Sequence, residues 1–248
     1  IKSSAASDVY KRQDWLRSSC KTAWGKPVSP KTAHSYYTTL RTALNEAVRE
    51  NLIASNPWYR LEMTEKIKVP ESKRDFLTIE EIKRMMATPF FNEQVRQAYL
   101  FSCFCGLRIS DIRKLRWRDL SMSGGQWRAS VVMTKTIHPV YIPLSSQAVK
   151  WLPERGDCTP DGLVFGGLPN EGNLCVNLKN WAEKAGVKKN VTFHTARHSC
   201  AVLLLTLGAD IYTVSKILGH RSVRSTQVYA KIVDKKKDDA IALVDNAF

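Results

Sequence analysis

The sequence lacks any apolar run long enough to cross a bilayer. A membrane-spanning helix needs about 18 or more consecutive apolar residues, whereas the longest run in the C-terminal half covers only residues 201–205. No basic start followed by an apolar centre and a cleavage site heads the chain, so no signal peptide is recognisable. We therefore expect a cytoplasmic protein without membrane contact.

Cysteine is scarce, and its spacing does not suggest a bound metal. The chain has six cysteines, namely Cys20, Cys103, Cys105, Cys158, Cys175 and Cys200. None form the C-x-x-C pairs of structural zinc sites, and their density is too low for a disulfide framework. Cys103 and Cys105 lie in an apolar segment, where thiols usually pack in the core. We expect buried, reduced thiols.

Acidic residues are outnumbered. Lys and Arg total 38 against 23 Asp and Glu, which gives a formal net charge of +15. A chain this basic usually meets a polyanion, with nucleic acid as the leading candidate, although a solvated basic surface is the alternative. The length of 248 residues and the 44% hydrophobic content allow one large domain or two small ones.

The N-terminal part reads as helical after a foreign-looking start. Residues 1–13 resemble translated sequencing adapter, and we expect them to lie outside the fold. Residues 14–64 predict a helical segment, in which Ser29 caps a helix that starts at Pro30. Residues 65–76 are charged and predict a linker. Candidate DNA contacts on the helix are Lys31, Thr32, Ser35, Tyr36, Thr39 and Arg41, although a solvated helix face fits them equally well.

Residues 77–248 predict a second, catalytic domain that is mainly α-helical with a small antiparallel sheet. Thr78 and Glu81 form a capping box, Gly106 ends a helix, and Ser110 caps the next one. Alternating apolar residues on both sides of Lys135 predict a β-hairpin. The fold class is therefore α+β. A C-terminal amphipathic stretch places three apolar side chains on one helix face, namely Ile241, Val244 and Phe248.

Two arginines are candidates for holding phosphate. His194 and Arg197 are three residues apart, so both side chains project from one face of a helix. Arg108 follows the helix-ending Gly106. A guanidinium offers a permanent charge and a two-pronged donor set that matches phosphate oxygens. For either arginine taken alone, an ordinary surface ion pair is the more common explanation.

His194 and His198 are four residues apart, so a zinc site has to be weighed. A zinc-protease helix would carry Glu at position 195, where this chain has Thr, and no third ligand is evident. We expect no metal site and interpret His198 as a packed structural histidine.

Three further residues are weak signals singly. Lys135 fits a solvated turn, His220 a helix cap after Gly219, and Tyr229 a half-buried core residue. Together with the arginines and His194, they form a set of cations, imidazoles and one phenol. Such a set suits holding a phosphodiester while a tyrosine attacks it.

These positions follow the order of a known family. They are Arg108 in Gly-Leu-Arg-Ile-Ser-Asp, Lys135 in Met-Thr-Lys-Thr, His194 and Arg197 in His-Thr-Ala-Arg, His220 in Leu-Gly-His and Tyr229 in Thr-Gln-Val-Tyr-Ala. Over residues 14–248 the chain resembles a tyrosine recombinase of the phage integrase family, of the mobile-element type. Asp111 matches the acidic residue that supports the first arginine in that family.

The resemblance implies a covalent mechanism. Tyr229 would attack the scissile phosphate and leave a 3′-phosphotyrosyl bond and a free 5′-hydroxyl. Lys135 would be the general acid for the 5′-oxygen, and His194 the base or orienting group for the phenol. The side chains implied to contact the non-bridging oxygens are Arg108, Arg197 and His220. Neither a metal, nor ATP, nor another cofactor is required.

The resemblance also implies partners. The substrate is double-stranded DNA, held in a clamp between the helical and the catalytic domain. Strand exchange passes through a Holliday junction in a tetrameric synapse on DNA, with room for an accessory DNA-bending protein. By this resemblance residues 14–64 are a partial helical core-binding domain. Because it is shorter than is usual in the family, we expect an N-terminally truncated fragment.

Several alternatives stay open. The C-terminal stretch fits docking on a neighbouring protomer about as well as packing on its own domain. A catalytically silent DNA-binding or accessory protein would use the same basic clamp, but DNA binding alone does not need a tyrosine at position 229. A type IB topoisomerase would share the phosphotyrosine chemistry and relax supercoils without pairing two sites.

Overall fold

The computed structural model describes residues 4–62, 64, 66–68, 74–135 and 137–229. The chain divides into two compact units, Ile1–Lys73 and Arg74–Phe248, and the boundary falls inside the predicted linker. The C-terminal stretch that carries Ile241, Val244 and Phe248 lies outside the described residues. None of the helices in the described ranges is both long and apolar enough to cross a membrane.

The secondary structure is mostly helical with one small sheet, which confirms the predicted fold class. The helices are Ser4–Ser18 (α1), Pro30–Arg49 (α2), Ile79–Ala87 (α3), Glu93–Cys105 (α4), Ile109–Ile112 (α5), Ser146–Lys150 (α6), Glu171–Lys184 (α7), Phe193–Thr206 (α8), Ile211–Ile217 (α9) and Arg224–Gln227 (α10). The strands are Leu120–Ser123 (β1), Gln126–Met133 (β2) and His138–Pro143 (β3), and two 3-10 turns cover Pro57–Arg60 and Trp117–Asp119.

The first unit packs α1 and α2 around a small apolar core. The Ser29 hydroxyl accepts the Thr32 backbone N–H at 3.1 Å, which confirms the predicted cap of α2. The unit differs from the expectation that residues 1–13 lie outside the fold, because Val9 on α1 is only 6% exposed and packs in this core. The foreign origin of that segment stays a prediction.

The second unit is built around α4, which packs against α6 and α8. The capping box of Thr78 and Glu81 begins α3 as predicted. The Leu77 backbone N–H donates to Ser199 Oγ at 2.7 Å. This bond fixes the segment before α3 against α8, and the segment includes Arg74.

The sheet has three antiparallel strands in the order β1-β2-β3. The predicted hairpin is β2 and β3, with Met133 opposite His138 at the turn. Strand β1 was missed, because its four residues show one buried position followed by three exposed ones and therefore lack the alternation that predicts a strand.

Two sequence interpretations are corrected. Helix α5 begins at Ile109 with Arg108 at the N-cap, so Ser110 lies inside the helix and does not cap it. All six cysteines are free, but Cys158 and Cys175 are exposed, whereas the other four are buried as expected. The exposed pair lie in a loop and on the outer face of α7, where no apolar periodicity marks them.

Candidate functional site

Arg197 is the central buried cation of the second unit. It lies in the second turn of α8, whose first turn is closed by hydrogen bonds between Thr192 and Thr195. Arg197 is only 4% exposed to solvent. Nη1 donates to the Gly106 carbonyl at 2.7 Å and Nη2 donates to the Leu218 carbonyl at 2.5 Å. Arg197 therefore joins three segments of chain.

The guanidinium of Arg197 stays charged despite its burial. Burial away from solvent and, as the second cause, repulsion from Arg108 lower the pKa of Arg197 from 12.5 to about 10. This value is still well above neutral pH. Its two close partners are uncharged carbonyls. The positive charge is therefore available to a bound anion.

Two left-handed glycines allow these segments to approach. At Gly106 (φ 74°) an added Cβ would lie 2.6 Å from Leu218 Cδ2. At Gly219 (φ 61°) it would lie 3.0 Å from both Met133 Cε and Val140 Cγ2. Only glycine combines this backbone conformation with such close contacts. The two residues direct the chain into Arg108 and His220 respectively.

Asp111 links Arg108 to the hairpin that carries Lys135. The carboxylate is buried, with Oδ2 4.0 Å from Arg108 Nη1 and Oδ1 accepting the Thr134 backbone N–H at 2.8 Å. Lys135 follows Thr134 in the turn between β2 and β3, and its side chain is exposed. One carboxylate therefore supports both the arginine and the turn beside the lysine.

His220 is oriented by Thr226 on α10. The two side chains are joined by a hydrogen bond of 2.8 Å between Nδ1 and Oγ1. Burial, together with the charges of Arg197 and Arg108, lowers the pKa of His220 from 6.5 to about 4, so the imidazole is neutral at pH 7. When the Thr226 hydroxyl donates to Nδ1, the neutral ring carries its proton on Nε2 and can donate it to a ligand.

Tyr229 is buried, at 2% exposure, and its hydroxyl is hydrogen-bonded to His198 Nδ1. The Arg74 guanidinium carbon lies 5.8 Å from the centre of the Tyr229 ring. Burial raises the pKa of Tyr229 above 10, although the charges of Arg74, Arg197 and Arg108 oppose this. The phenol therefore keeps its proton at neutral pH, and a nucleophilic role requires a group that accepts it.

The structure brings His198, and not His194, to the phenol. His194 is exposed, and the centre of its ring lies 6.5 Å from that of His198. The interpretation of His198 as a mere packing residue is therefore incomplete, since its ring nitrogen contacts Tyr229 Oη. Burial and then the charges of Arg74, His194 and Arg197 lower the pKa of His198 from 6.5 to about 4.

Arg108, Arg197, His220 and Tyr229 thus converge in one region, and Asp111 and Thr134 connect Lys135 to it. Sequence reasoning missed three neighbours, namely Arg74, His198 as a partner of the phenol, and Thr226. The spacing of His198 from His194 was a visible signal, whereas Arg74 and Thr226 offered none. Within the described ranges, no three His, Cys, Asp or Glu side chains are placed to hold a metal ion.

The candidate DNA contacts on α2 divide into two groups. Ala33 and Tyr37 face the core of the first unit. Lys31, Ser35, Tyr36 and Thr39 are exposed. Thr32 and Arg41 are half-buried; Thr32 bonds the capping Ser29 at 2.8 Å, and Arg41 stacks 5.0 Å from the Trp58 ring centre. The exposed group is free to meet a ligand, and its contact with DNA stays a prediction.

Family models match both units of the chain. The profile described as Phage integrase family matches residues 75–236, and that of the Phage integrase SAM-like domain matches residues 10–68. A tyrosine recombinase of Thermosipho africanus is 31% identical over 225 residues, covering 85% of this chain and 75% of the relative.

Solved structures show the same fold. The XerH site-specific recombinase bound to palindromic difH substrate, in a post-cleavage complex, superposes with a TM-score of 0.72 at 20% identity, covering 96% of this chain and 72% of the other. The Tn1549 transposon integrase in complex with transposon right end DNA gives a TM-score of 0.72 at 17% identity, covering 98% and 87%.

Proposed function

We propose a mechanism on the premise that this chain belongs to the phage integrase family and is a site-specific tyrosine recombinase. Such an enzyme is a DNA strand transferase that cleaves and rejoins DNA. The observation that supports the mechanism is a buried, protonated phenol close to the charges of Arg74, Arg197 and Arg108. Among these, Arg197 donates to two uncharged backbone carbonyls. A group of cations beside a nucleophile favours an anionic substrate, and a scissile phosphate matches that charge.

Arg108 and Arg197 bind the non-bridging oxygens of that phosphate in the proposed complex. Both arginines are oriented without DNA. Arg197 donates to two backbone carbonyls, whereas Arg108 donates to Met133 Sδ at 3.7 Å and lies 4.0 Å from the Asp111 carboxylate. Donors that are already oriented stabilise the extra charge of a five-coordinate phosphorus without reorganising during the reaction. His220 adds a neutral N–H donor, because Thr226 fixes its ring.

Tyr229 is the proposed nucleophile. Its oxygen attacks phosphorus and forms a 3′-phosphotyrosyl bond, and the 5′-oxygen leaves. Lys135 protonates the leaving oxygen in this scheme. The exposed side chain of Lys135 suits this role, since it has to extend to the bound DNA. The hydrogen bond between the Thr134 backbone N–H and Asp111 supports a fixed backbone position next to the lysine. A second 5′-hydroxyl then attacks the phosphotyrosine and completes strand exchange.

The partners are also proposed. Duplex DNA lies against the exposed face of α2 that carries Lys31, Ser35, Tyr36 and Thr39, and two duplexes meet in a tetrameric synapse. An accessory DNA-bending protein and a mobile-element substrate are compatible with the resemblance. Six free cysteines are consistent with work in a reducing cytoplasm. A catalytically silent DNA-binding protein is not favoured, because binding alone needs no phenol among the arginines.

A covalent trap tests the proposed function. A random-sequence duplex pool is incubated with the protein, and the DNA that stays attached in detergent is amplified and reselected to define the site. A duplex of that sequence, nicked beside the scissile phosphate, then releases a short fragment and traps the adduct. We expect an adduct with wild type and with the control Tyr212→Phe, an exposed tyrosine on α9. Tyr229→Phe should bind DNA and trap none; an adduct with Tyr229→Phe would refute the assignment.

A further inference from the structure

His198 supplies the imidazole that contacts the nucleophile's oxygen. Its Nδ1 is hydrogen-bonded to Tyr229 Oη, and the two ring centres lie 5.5 Å apart with the planes inclined by 52°. Helix α8 holds His198 next to Arg197, whose side chain is anchored at both ends of its guanidinium. The position of His198 is therefore fixed by the same helix that fixes the proposed phosphate-binding arginine.

The direction of this hydrogen bond follows from the two protonation states. Burial raises the pKa of Tyr229, so the phenol has a proton to donate. Burial and nearby cations lower the pKa of His198 to about 4, so its ring is neutral at pH 7. A neutral imidazole nitrogen is a better acceptor than a phenol oxygen, and the phenol therefore donates to Nδ1. The His198 proton then lies on Nε2.

We infer that His198 is a further catalytic residue, whose Nδ1 holds the Tyr229 hydroxyl and accepts its proton as the oxygen attacks phosphorus. The inference rests on the proposed function. The Oη–H bond breaks as an N–H bond forms at Nδ1, and the Oη–P bond forms as the P–O5′ bond breaks. The 5′-oxygen takes its proton from Lys135. When a 5′-hydroxyl attacks in the second half-reaction, both protons return.

The cations around His198 couple this proton transfer to DNA. The charged and titratable groups around its ring come from four segments. They are Arg74 before α3, His194 and Arg197 on α8, His220 after α9, and the Tyr229 phenol. Without DNA these cations oppose an imidazolium, so the phenol stays protonated and unreactive. A phosphate diester bound by the arginines offsets their charge, and the protonated form of His198 then costs less free energy. The nucleophile is thereby activated when its substrate is in place.

Single-turnover cleavage of the nicked duplex tests the inference. His198→Asn places an amide oxygen near the position of Nδ1, which can accept the hydrogen bond but cannot take the proton. We expect its cleavage rate to fall by about 100-fold or more, while the urea midpoint and DNA affinity match wild type. Its rate should rise about tenfold per pH unit between pH 6.5 and 8.5, because solvent must deprotonate the phenol, whereas the wild-type rate should be nearly flat.

A duplex with sulfur at the bridging 5′ position separates the two proton transfers. A thiolate leaves without protonation, so this substrate should restore cleavage by Lys135→Ala but not by His198→Asn. Equal rescue of both variants, or a His198→Asn rate within threefold of wild type, overturns the inference. The same holds if His194→Asn, and not His198→Asn, gains the steep pH dependence.

Imidazole ¹⁵N spectra provide a check that needs no variant to fold. In wild-type protein at pH 7, His198 should carry its proton on Nε2, and a protonated Nδ1 overturns the inference. If wild type forms no covalent adduct at all, the proposed function fails together with this inference. If wild type forms the adduct and His198→Asn forms it equally fast, only the role of His198 fails.

Discussion

The Arg197 guanidinium donates to the carbonyl of Gly106, which ends a helix far earlier in the chain. The same guanidinium bonds Leu218, the residue before the Gly219-His220 pair. A residue expected to bind phosphate thus also holds together the backbone segments that lead to Arg108 and His220. Its loss should therefore affect stability as well as chemistry.

Arg197→Lys should be destabilised and inactive. An ammonium cannot span two carbonyls as a guanidinium does, so one buried carbonyl loses its partner, and the free energy of unfolding should fall by about 1–3 kcal/mol. Urea unfolding measures this. Arg224→Lys on the exposed face of α10 is the control and should stay within about 0.5 kcal/mol of wild type. Equal stability of the two variants would contradict the anchoring role of Arg197.

Asp111→Asn should separate positioning from charge. The amide oxygen can still accept the Thr134 N–H, but the negative charge 4.0 Å from Arg108 is lost. We expect cleavage to slow by about 10-fold, which corresponds to about 1.4 kcal/mol of transition-state stabilisation, with DNA affinity nearly unchanged. The exposed Asp157 supplies the matched control, Asp157→Asn. A wild-type rate for Asp111→Asn would show that the carboxylate charge is irrelevant.

Gly219→Ala should lower the free energy of unfolding by more than the strain of a left-handed backbone alone. Gly124 has nearly the same φ, 58° against 61°, but nothing lies within 4 Å of an added Cβ there. Gly124→Ala should cost about 1–2 kcal/mol. Gly219→Ala should cost about 1–3 kcal/mol more, because its Cβ would press on Met133 and Val140. Thermal and urea unfolding compare the two, and equal losses would argue against close packing at Gly219.

Thr226→Val should release the His220 ring while preserving shape. The hydroxyl that bonds Nδ1 is replaced by a methyl group, so the His220 ring loses the hydrogen bond that orients it. We expect cleavage to slow by about 10-fold, whereas Thr226→Ser, which keeps the hydroxyl, should retain most activity. If valine and serine behave alike in single-turnover cleavage, the hydrogen bond does not orient the ring.

The two half-buried histidines predict a loss of stability in mild acid. The pKa values of His198 and His220 are lowered to about 4 in the folded protein, against about 6.5 in an unfolded chain. Between these two pKa values the unfolded state therefore binds more protons than the folded state. The free energy of unfolding has its highest value above pH 6.5 and falls as the pH drops towards 4. Solvent screening keeps the slope below the maximum of about 1.4 kcal/mol per pH unit for each group.

Urea unfolding at pH 7.5, 6.5 and 5.5 checks this dependence. The decline between pH 6.5 and 5.5 should be shallower in His220→Asn than in wild type, because one of the two titrating groups is removed. If the stability of His220→Asn falls as steeply with pH as that of wild type, the pKa of His220 is not lowered in the folded protein.

The sequence predicted features that depend on local pattern. The caps formed by Ser29 and Thr78 are fixed by side chains within one turn of the helix start. Gly106 was recognised as a helix end because few other residues tolerate its conformation. The order of the candidate site residues follows a family motif, and this motif alone predicts that they converge. Each of these signals is confined to a few neighbouring residues.

Contacts between distant segments were not predictable in the same way. Arg74 approaches Tyr229 because the Leu77–Ser199 hydrogen bond places its segment against α8, and no local pattern encodes that contact. The choice between His194 and His198 as the partner of the phenol depends on where Tyr229 packs on α8, which helical spacing alone leaves open. Strand β1 is likewise defined by its pairing with β2.

The central claim is that the oxygen of Tyr229 forms the bond to DNA. Nuclease and protease digestion of the trapped adduct, followed by mass spectrometry, identifies the modified peptide and the DNA end that it carries. We predict a nucleotide 3′-phosphate on Tyr229 and a free 5′-hydroxyl on the released fragment. A phosphate linked to any other residue, or a 5′-phosphate on the released strand, would contradict the account.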